Sequence, residues 1–150
     1  MKKTIWFDMD GTLADLYGVD NWLEKLHAED ATPYTEAYVM HNMSLLARTL
    51  NKLQKLGYHI GIITWFAKDA TAEYDKMVKQ AKEKWLHQHL RSVTFNEIYM
   101  VPYGCPKTIF MNTEHDILFD DNKTIREEWT GEAHDPYEMF SILDELLRME

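Results

Sequence analysis

The sequence predicts an α/β fold: a Rossmann-like parallel sheet flanked by helices, with a small helical insertion after the first strand. Three observations predict it. Short runs of β-branched and aromatic residues recur along the 150-residue chain. The gaps between them carry apolar residues at helical spacing, and strands alternating with helices imply parallel crossovers. Three of the four runs finish on a hydroxyl or a carboxylate, which is where such sheets collect their ligands.

The strands come first in the argument. Thr4-Ile5-Trp6-Phe7 runs straight into Asp8, Ile60-Gly61-Ile62-Ile63 ends at Thr64, and Ile117-Leu118-Phe119 ends at Asp120-Asp121. A further run is Ile98-Tyr99-Met100-Val101. Continuous apolar runs of this length suit strands buried on both faces. Between them, Leu45, Leu46, Thr49, Leu50, Leu53 and Leu56 recur at helical spacing, with Gly57 where a helix C-cap is expected. Tyr74, Met77, Val78, Ala81 and Trp85 repeat the pattern, and Phe140, Leu143, Leu146 and Leu147 do so behind Asp135-Pro136.

One stretch breaks the alternation. From about 14 to 42 the chain is rich in Tyr, Trp and Met. It carries a short helical pattern of Trp22, Leu23 and Leu26 behind Asp20, a candidate N-cap, and then Thr32-Pro33. It reads as a small helical cap, at about 15–42, over the strand ends; an ordinary surface loop with a helix is the alternative. No internal repeat or linker divides the chain, so a single domain over 1–150 is expected.

Composition narrows the function classes. With 16 Lys and Arg against 25 Asp and Glu, the formal net charge is −9. Nucleic-acid backbones select clustered Lys and Arg, so no nucleic-acid partner is expected. Cys105 is the only cysteine, so no internal disulfide forms, which fits a reducing compartment. The apolar run before Asp8 is too short for a signal peptide, and no stretch approaches the ~20 apolar residues of a membrane helix. A cytoplasmic protein with no membrane partner is expected; oligomeric state is not legible.

The chemistry concentrates in Asp8-Met9-Asp10-Gly11-Thr12, directly after a buried strand. Such a pentapeptide pattern arises by chance roughly once in a thousand chains of this length at average residue usage. Carboxylates two residues apart point to opposite faces of a strand, but a glycine-assisted turn past the strand end brings both toward one point. Their repulsion is relieved by a divalent cation. Magnesium takes oxygen ligands, few of them from protein, and usually sits with phosphates. Cys105 lacks an Arg at tyrosine-phosphatase spacing, since position 111 is Met, and no P-loop pattern is present. His41, His115 and His134 show no metal-ligand spacing, and His87 and His89 lie along an expected helix, where a histidine is more often solvated than a ligand.

On these residues the chain resembles the haloacid dehalogenase superfamily of phosphatases, through four motifs in order: Asp8 to Thr12, Thr64, Lys107 in Gly104-Cys105-Pro106-Lys107, and Asp120-Asp121. The resemblance implies a Mg²⁺-dependent phosphomonoester hydrolase. Asp8 is then the nucleophile, forming an aspartyl-phosphate, and Asp10 the acid/base. Thr64 bonds a phosphoryl oxygen and Lys107 offsets negative charge. The implied metal ligands are the Asp8 side chain, the Asp10 backbone carbonyl and one of Asp120 and Asp121; Asp121 is favoured, with Asp120 holding Lys107 or a metal-bound water.

The segment after the first motif is similar to the compact cap of the 5′(3′)-deoxyribonucleotidase branch, which implies a nucleoside monophosphate as the favoured small substrate. Tyr17, Trp22, Tyr34, Tyr38, Trp65 and Phe66 either build a nucleobase slot or form the core of the cap, and Trp22 and Trp65 are the favoured stacking residues. The alternatives are a polynucleotide 3′-phosphatase, against which the acidic charge counts, and a phosphate-sensing module with little turnover, against which the intact Asp8 and Asp10 count.

Overall fold

The computed structural model describes residues 2–149. Its central sheet has five parallel strands. They are β1 (Thr4–Phe7), β4 (His59–Trp65), β5 (Glu97–Val101), β6 (Ile117–Phe119) and β7 (Glu132–His134), in the spatial order β5-β4-β1-β6-β7. The expected α/β class is therefore the observed one. The first strand is central because every residue of Thr4-Ile5-Trp6-Phe7 is buried, so it must be covered on both faces and both edges.

Side chains cap the starts of two helices that cover the sheet. Asn42 caps α3 (Met43–Lys55) by accepting from the Leu45 amide, and Thr71 caps α4 (Ala72–His89) by accepting from the Tyr74 amide. The last helix, α6 (Met139–Arg148), turns Leu143 and Leu146 inward onto the same core as Leu46, Leu50, Leu53, Ile5 and Ile60. Leu45, Leu56 and Met77 share the helical period but lie at the rim and remain exposed.

The stretch before α3 contains a 3₁₀ turn (Leu16–Gly18), α1 (Trp22–His27) and α2 (Thr32–Glu36). It also holds a two-stranded antiparallel pair, β2 (Ala14–Asp15) with β3 (Tyr38–Val39). The pair is invisible in the sequence because each strand is only two residues long. Asp20 does not cap α1. Asn21 occupies that position in the left-handed region, and its side chain makes no capping bond.

One further expectation is corrected, and two elements come as additions. The run Ile98 to Val101 is not buried on both faces: β5 is an edge strand, and Ile98 is 42% exposed. Strand β7 and the short α5 (Lys123–Glu128), capped by Asn122, carry too little apolar pattern to be seen in advance.

The N-terminal end of β1 is held by a buried carboxylate. Asp116 accepts from the Thr4 amide at 2.8 Å, the Trp6 indole at 3.0 Å and the Asn112 amide at 2.7 Å. Trp6 in turn fills the space over Gly61, where an added Cβ would overlap its ring. Gly61→Ala is expected to overpack this contact at a cost of about 1–3 kcal/mol. The check is a lowered urea midpoint with an unchanged m-value.

Candidate active site

Register brings the first and fourth motifs level. Phe7 pairs with Phe119 across β1 and β6, and the Asp8 amide donates to the Phe119 carbonyl at 3.0 Å. The residues that follow each strand, Asp8 and Asp120, therefore emerge side by side. The chain after Asp8 then turns tightly, with the Leu13 and Ala14 amides both donating to the Met9 carbonyl. Gly11 makes the turn possible: its φ is +82°, and a Cβ there would overlap the Asp121 carboxylate.

Oxygens of Asp8, Asp120 and Asp121 all lie within 4.8 Å of one another. Lys107 stands between two of them, its ammonium 3.0 Å from Asp8 Oδ1 and 2.7 Å from Asp120 Oδ2. Burial pulls Lys107 down, but the Asp8 and Asp120 charges and hydrogen bonds outweigh it and hold the ammonium above its ordinary range. Both oxygens of Asp120 are engaged, since Oδ1 accepts from the Asn122 amide at 2.9 Å. Asp121 opens on the cavity instead. Thr12 joins the two motifs: its hydroxyl donates to Asp8 Oδ2 at 3.1 Å and accepts from the Asp121 amide at 3.2 Å.

Three crowded carboxylates against one lysine leave negative charge uncompensated. Burial and the neighbouring Asp8 push Asp120 up to about 6 and Asp121 up to about 8. Asp120 is buried, whereas Asp121 is exposed to the cavity. An all-oxygen donor set with this surplus charge fits a hard divalent cation.

Asp10 is separate from this trio. Its side chain turns to Lys82, whose ammonium lies 3.0 Å from Asp10 Oδ2. Burial raises the Asp10 carboxyl above its ordinary value, and the Lys82 charge only partly offsets this. Lys82 also donates to the Thr64 hydroxyl at 2.6 Å and the Trp65 carbonyl at 2.9 Å. Thr64 is thus buried beside Lys82 and does not line the cavity, whereas Asp8, Asp10, Lys107, Asp120 and Asp121 all do. Lys82 belongs to no expected motif. Its one sequence signal was a lysine set four residues after Val78 and three before Trp85, on the apolar face of α4.

The cavity has a volume of about 380 Å³ and is walled on one side by the 14–42 stretch. The six aromatics divide. Tyr17, Trp22, Trp65 and Phe66 line it, with Tyr17 and Trp22 edge-on at 4.9 Å. Tyr34 lines it too but is packed into the cluster of Leu16, Tyr74 and Val78. Tyr38 is 82% exposed and takes no part. Trp65 also braces the loop that carries Lys107, because its indole donates to the Cys105 carbonyl at 2.9 Å.

The five-stranded parallel sheet flanked by helices, with its first strand at the centre, is a haloacid dehalogenase-like fold. Two solved proteins share it over nearly their whole length. The D,D-heptose 1,7-bisphosphate phosphatase of B. bronchiseptica, in complex with magnesium and phosphate, superposes with a TM-score of 0.60 at 11% identity, covering 99% of this chain and 100% of that one. The D,D-heptose 1,7-bisphosphate phosphatase of Burkholderia thailandensis gives a TM-score of 0.51 at 13% identity, covering 94% and 97%. By sequence the chain matches no family model and no curated protein. Among the described residues no helix is long and apolar enough to cross a membrane.

Proposed function

We propose that the protein is a Mg²⁺-dependent phosphomonoesterase working through a covalent aspartyl-phosphate. The observation that carries this is the convergence of Asp8, Asp120 and Asp121 within 4.8 Å, with Lys107 buried between Asp8 and Asp120. The similar fold of a phosphatase seen with magnesium and phosphate supports it. Asp8 and Asp121 would hold the cation through their side chains, with the Asp10 backbone carbonyl beside them, and Asp120 keeps Lys107 in place. Bound there, the cation supplies charge neutralisation.

The chain's own groups supply the rest. An Asp8 carboxylate oxygen forms a bond to phosphorus as the ester P–O bond breaks, and Asp10 gives its proton to the leaving oxygen. Asp10 then takes a proton from water; the water oxygen bonds to phosphorus and the Asp8–phosphorus bond breaks, releasing inorganic phosphate. Lys107 offsets the phosphoryl charge throughout, and Thr64, buried off the cavity wall, contributes by holding Lys82. Hydrolysis of a phosphometabolite panel by the purified protein tests this. Absence of turnover on every member with Mg²⁺ present would overturn it.

The 14–42 stretch serves in this reading as a cap within a single domain. A cavity of this size suits a small molecule, and nucleoside monophosphates are the favoured class because Trp22 and Tyr17 offer an aromatic face to a base. A sugar phosphate is the second reading, favoured by the heptose-bisphosphate phosphatases that share the fold. Base–aromatic stacking is worth about 1–3 kcal/mol, or roughly 5- to 150-fold. Trp22→Ala is therefore expected to lower kcat/KM for nucleoside monophosphates by that factor and to spare sugar phosphates. Trp65→Ala should weaken both, since it also frees the Lys107 loop. Matched panels of the two substrate classes decide; a nucleotide rate unmoved by both Trp22→Ala and Trp65→Ala rejects stacking.

A further inference from the structure

Lys82 is a charge placed where the fold asks for none. Its neighbours along the inner face of α4, Val78, Ala81 and Trp85, are buried apolar side chains, and Lys82 itself is 1% exposed. A buried charge is costly unless paired and fully hydrogen-bonded. This one has three acceptors for its three N–H donors: Asp10 Oδ2, Thr64 Oγ1 and the Trp65 carbonyl. Two of these belong to the end of β4, so the ammonium is anchored to the rigid sheet. The third is Asp10 in the turn after β1. The Tyr34 ring, from α2, lies 5.2 Å from the same ammonium.

We propose that Lys82 is the positioning residue of the acid/base carboxylate: by holding Asp10 Oδ2 against the end of β4 it fixes the side chain and assigns the exchanged proton to Oδ1. The inference rests on the reading of Asp10 as acid/base given above. It makes Lys82 act through Asp10 and not on the phosphoryl group, which Lys107 already faces. Losing Lys82 should therefore hurt only the proton transfers. A poor alkoxide leaving group needs Asp10's proton during phosphorylation of Asp8, whereas p-nitrophenolate leaves largely without it.

The test is Lys82→Met, in rapid-quench experiments with Mg²⁺ on p-nitrophenyl phosphate and on an alkyl phosphate. The expected result is a p-nitrophenol burst whose rate stays within about 10-fold of wild type, followed by slow steady turnover. Phosphorylation by the alkyl phosphate should fall by about 10²–10⁴-fold, the usual worth of general acid–base catalysis. Equal losses on the two substrates, or no loss on either, overturn the proposal. Should Lys82→Met fail to fold by circular dichroism, Lys82→Gln takes the same measurement, with the same selective loss expected and equal losses again overturning it. An Asp10→Asn variant that keeps the alkyl-phosphate rate overturns the acid/base reading and the proposal with it. A loss in Asp10→Asn beside an unmoved Lys82→Met overturns the proposal alone.

Discussion

Asp8→Asn is expected to abolish phosphomonoester turnover while leaving a folded protein. The amide has nearly the shape of the carboxylate but cannot serve as nucleophile, so the covalent route is closed and not merely slowed. The surroundings can accept it. Its carbonyl oxygen still receives the Lys107 bond, made at 3.0 Å in the native chain. Its NH₂ replaces the oxygen that Thr12 approaches at 3.1 Å, and the Thr12 hydroxyl can turn its proton to Asp121 Oδ1, 3.5 Å away, and accept. Removing one of three crowded carboxylates also relieves repulsion. Intact thermal unfolding with no product above background is the expected pair of observations. Wild-type rates in a preparation checked for deamidation would reject the covalent mechanism. Asp10→Asn should be less absolute, about 10²–10⁴-fold, because acid–base help is lost while the nucleophile remains.

Chelation of the metal is expected to be the second total loss, reversed by added Mg²⁺. Full turnover in metal-free buffer would reject the proposed centre. The same carboxylates predict a pH signature in the protein without substrate. Asp120 is raised to about 6 and Asp121 to about 8, first by burial and then by Asp8. A carboxyl raised in the folded state binds more protons there than in the unfolded chain. Its contribution to stability is therefore present below the ordinary carboxylate range and is lost as pH climbs through the raised value. The metal-free protein should lose Tm between pH 5 and 8.5 from this source. Mg²⁺, which competes with those protons, should raise Tm more at pH 8.5 than at pH 5. A Mg²⁺-induced shift that is equal at the two pH values would contradict the assignment.

The central strand and its chemistry were legible in the chain because both depend on local pattern. Thr4-Ile5-Trp6-Phe7 is apolar at every position but the first, so it has to lie inside a sheet. Asp8, Asp10 and Gly11 follow at once, so the turn and the carboxylates belong to its end. Asp120-Asp121 behind Ile117-Leu118-Phe119 is readable for the same reason. Where the pattern is thin the reading fails: β2 and β3 have two residues each, and β7 has the sequence Glu-Ala-His. The run from Ile98 to Val101 misleads in the other direction, because hydropathy cannot distinguish a central strand from an edge.

By itself, then, the sequence determined four of the sheet's five strands and which carboxylates stand at their ends, since hydrophobic period and glycine-assisted turns act over a few residues. Only the tertiary structure decided who faces whom. It paired Phe7 with Phe119, and so set Asp8 beside Asp120. It gave Asp120 to Lys107 and left Asp121 open. It moved Thr64 from the cavity wall to the side of a lysine that no motif includes, and it divided six similar aromatics into wall, core and surface. Each of these depends on register and packing between segments far apart in the chain: 72 residues separate Lys82 from Asp10, and 99 separate Lys107 from Asp8. No local pattern encodes such a distance, because it exists only once the sheet has been assembled and the helices have closed over it.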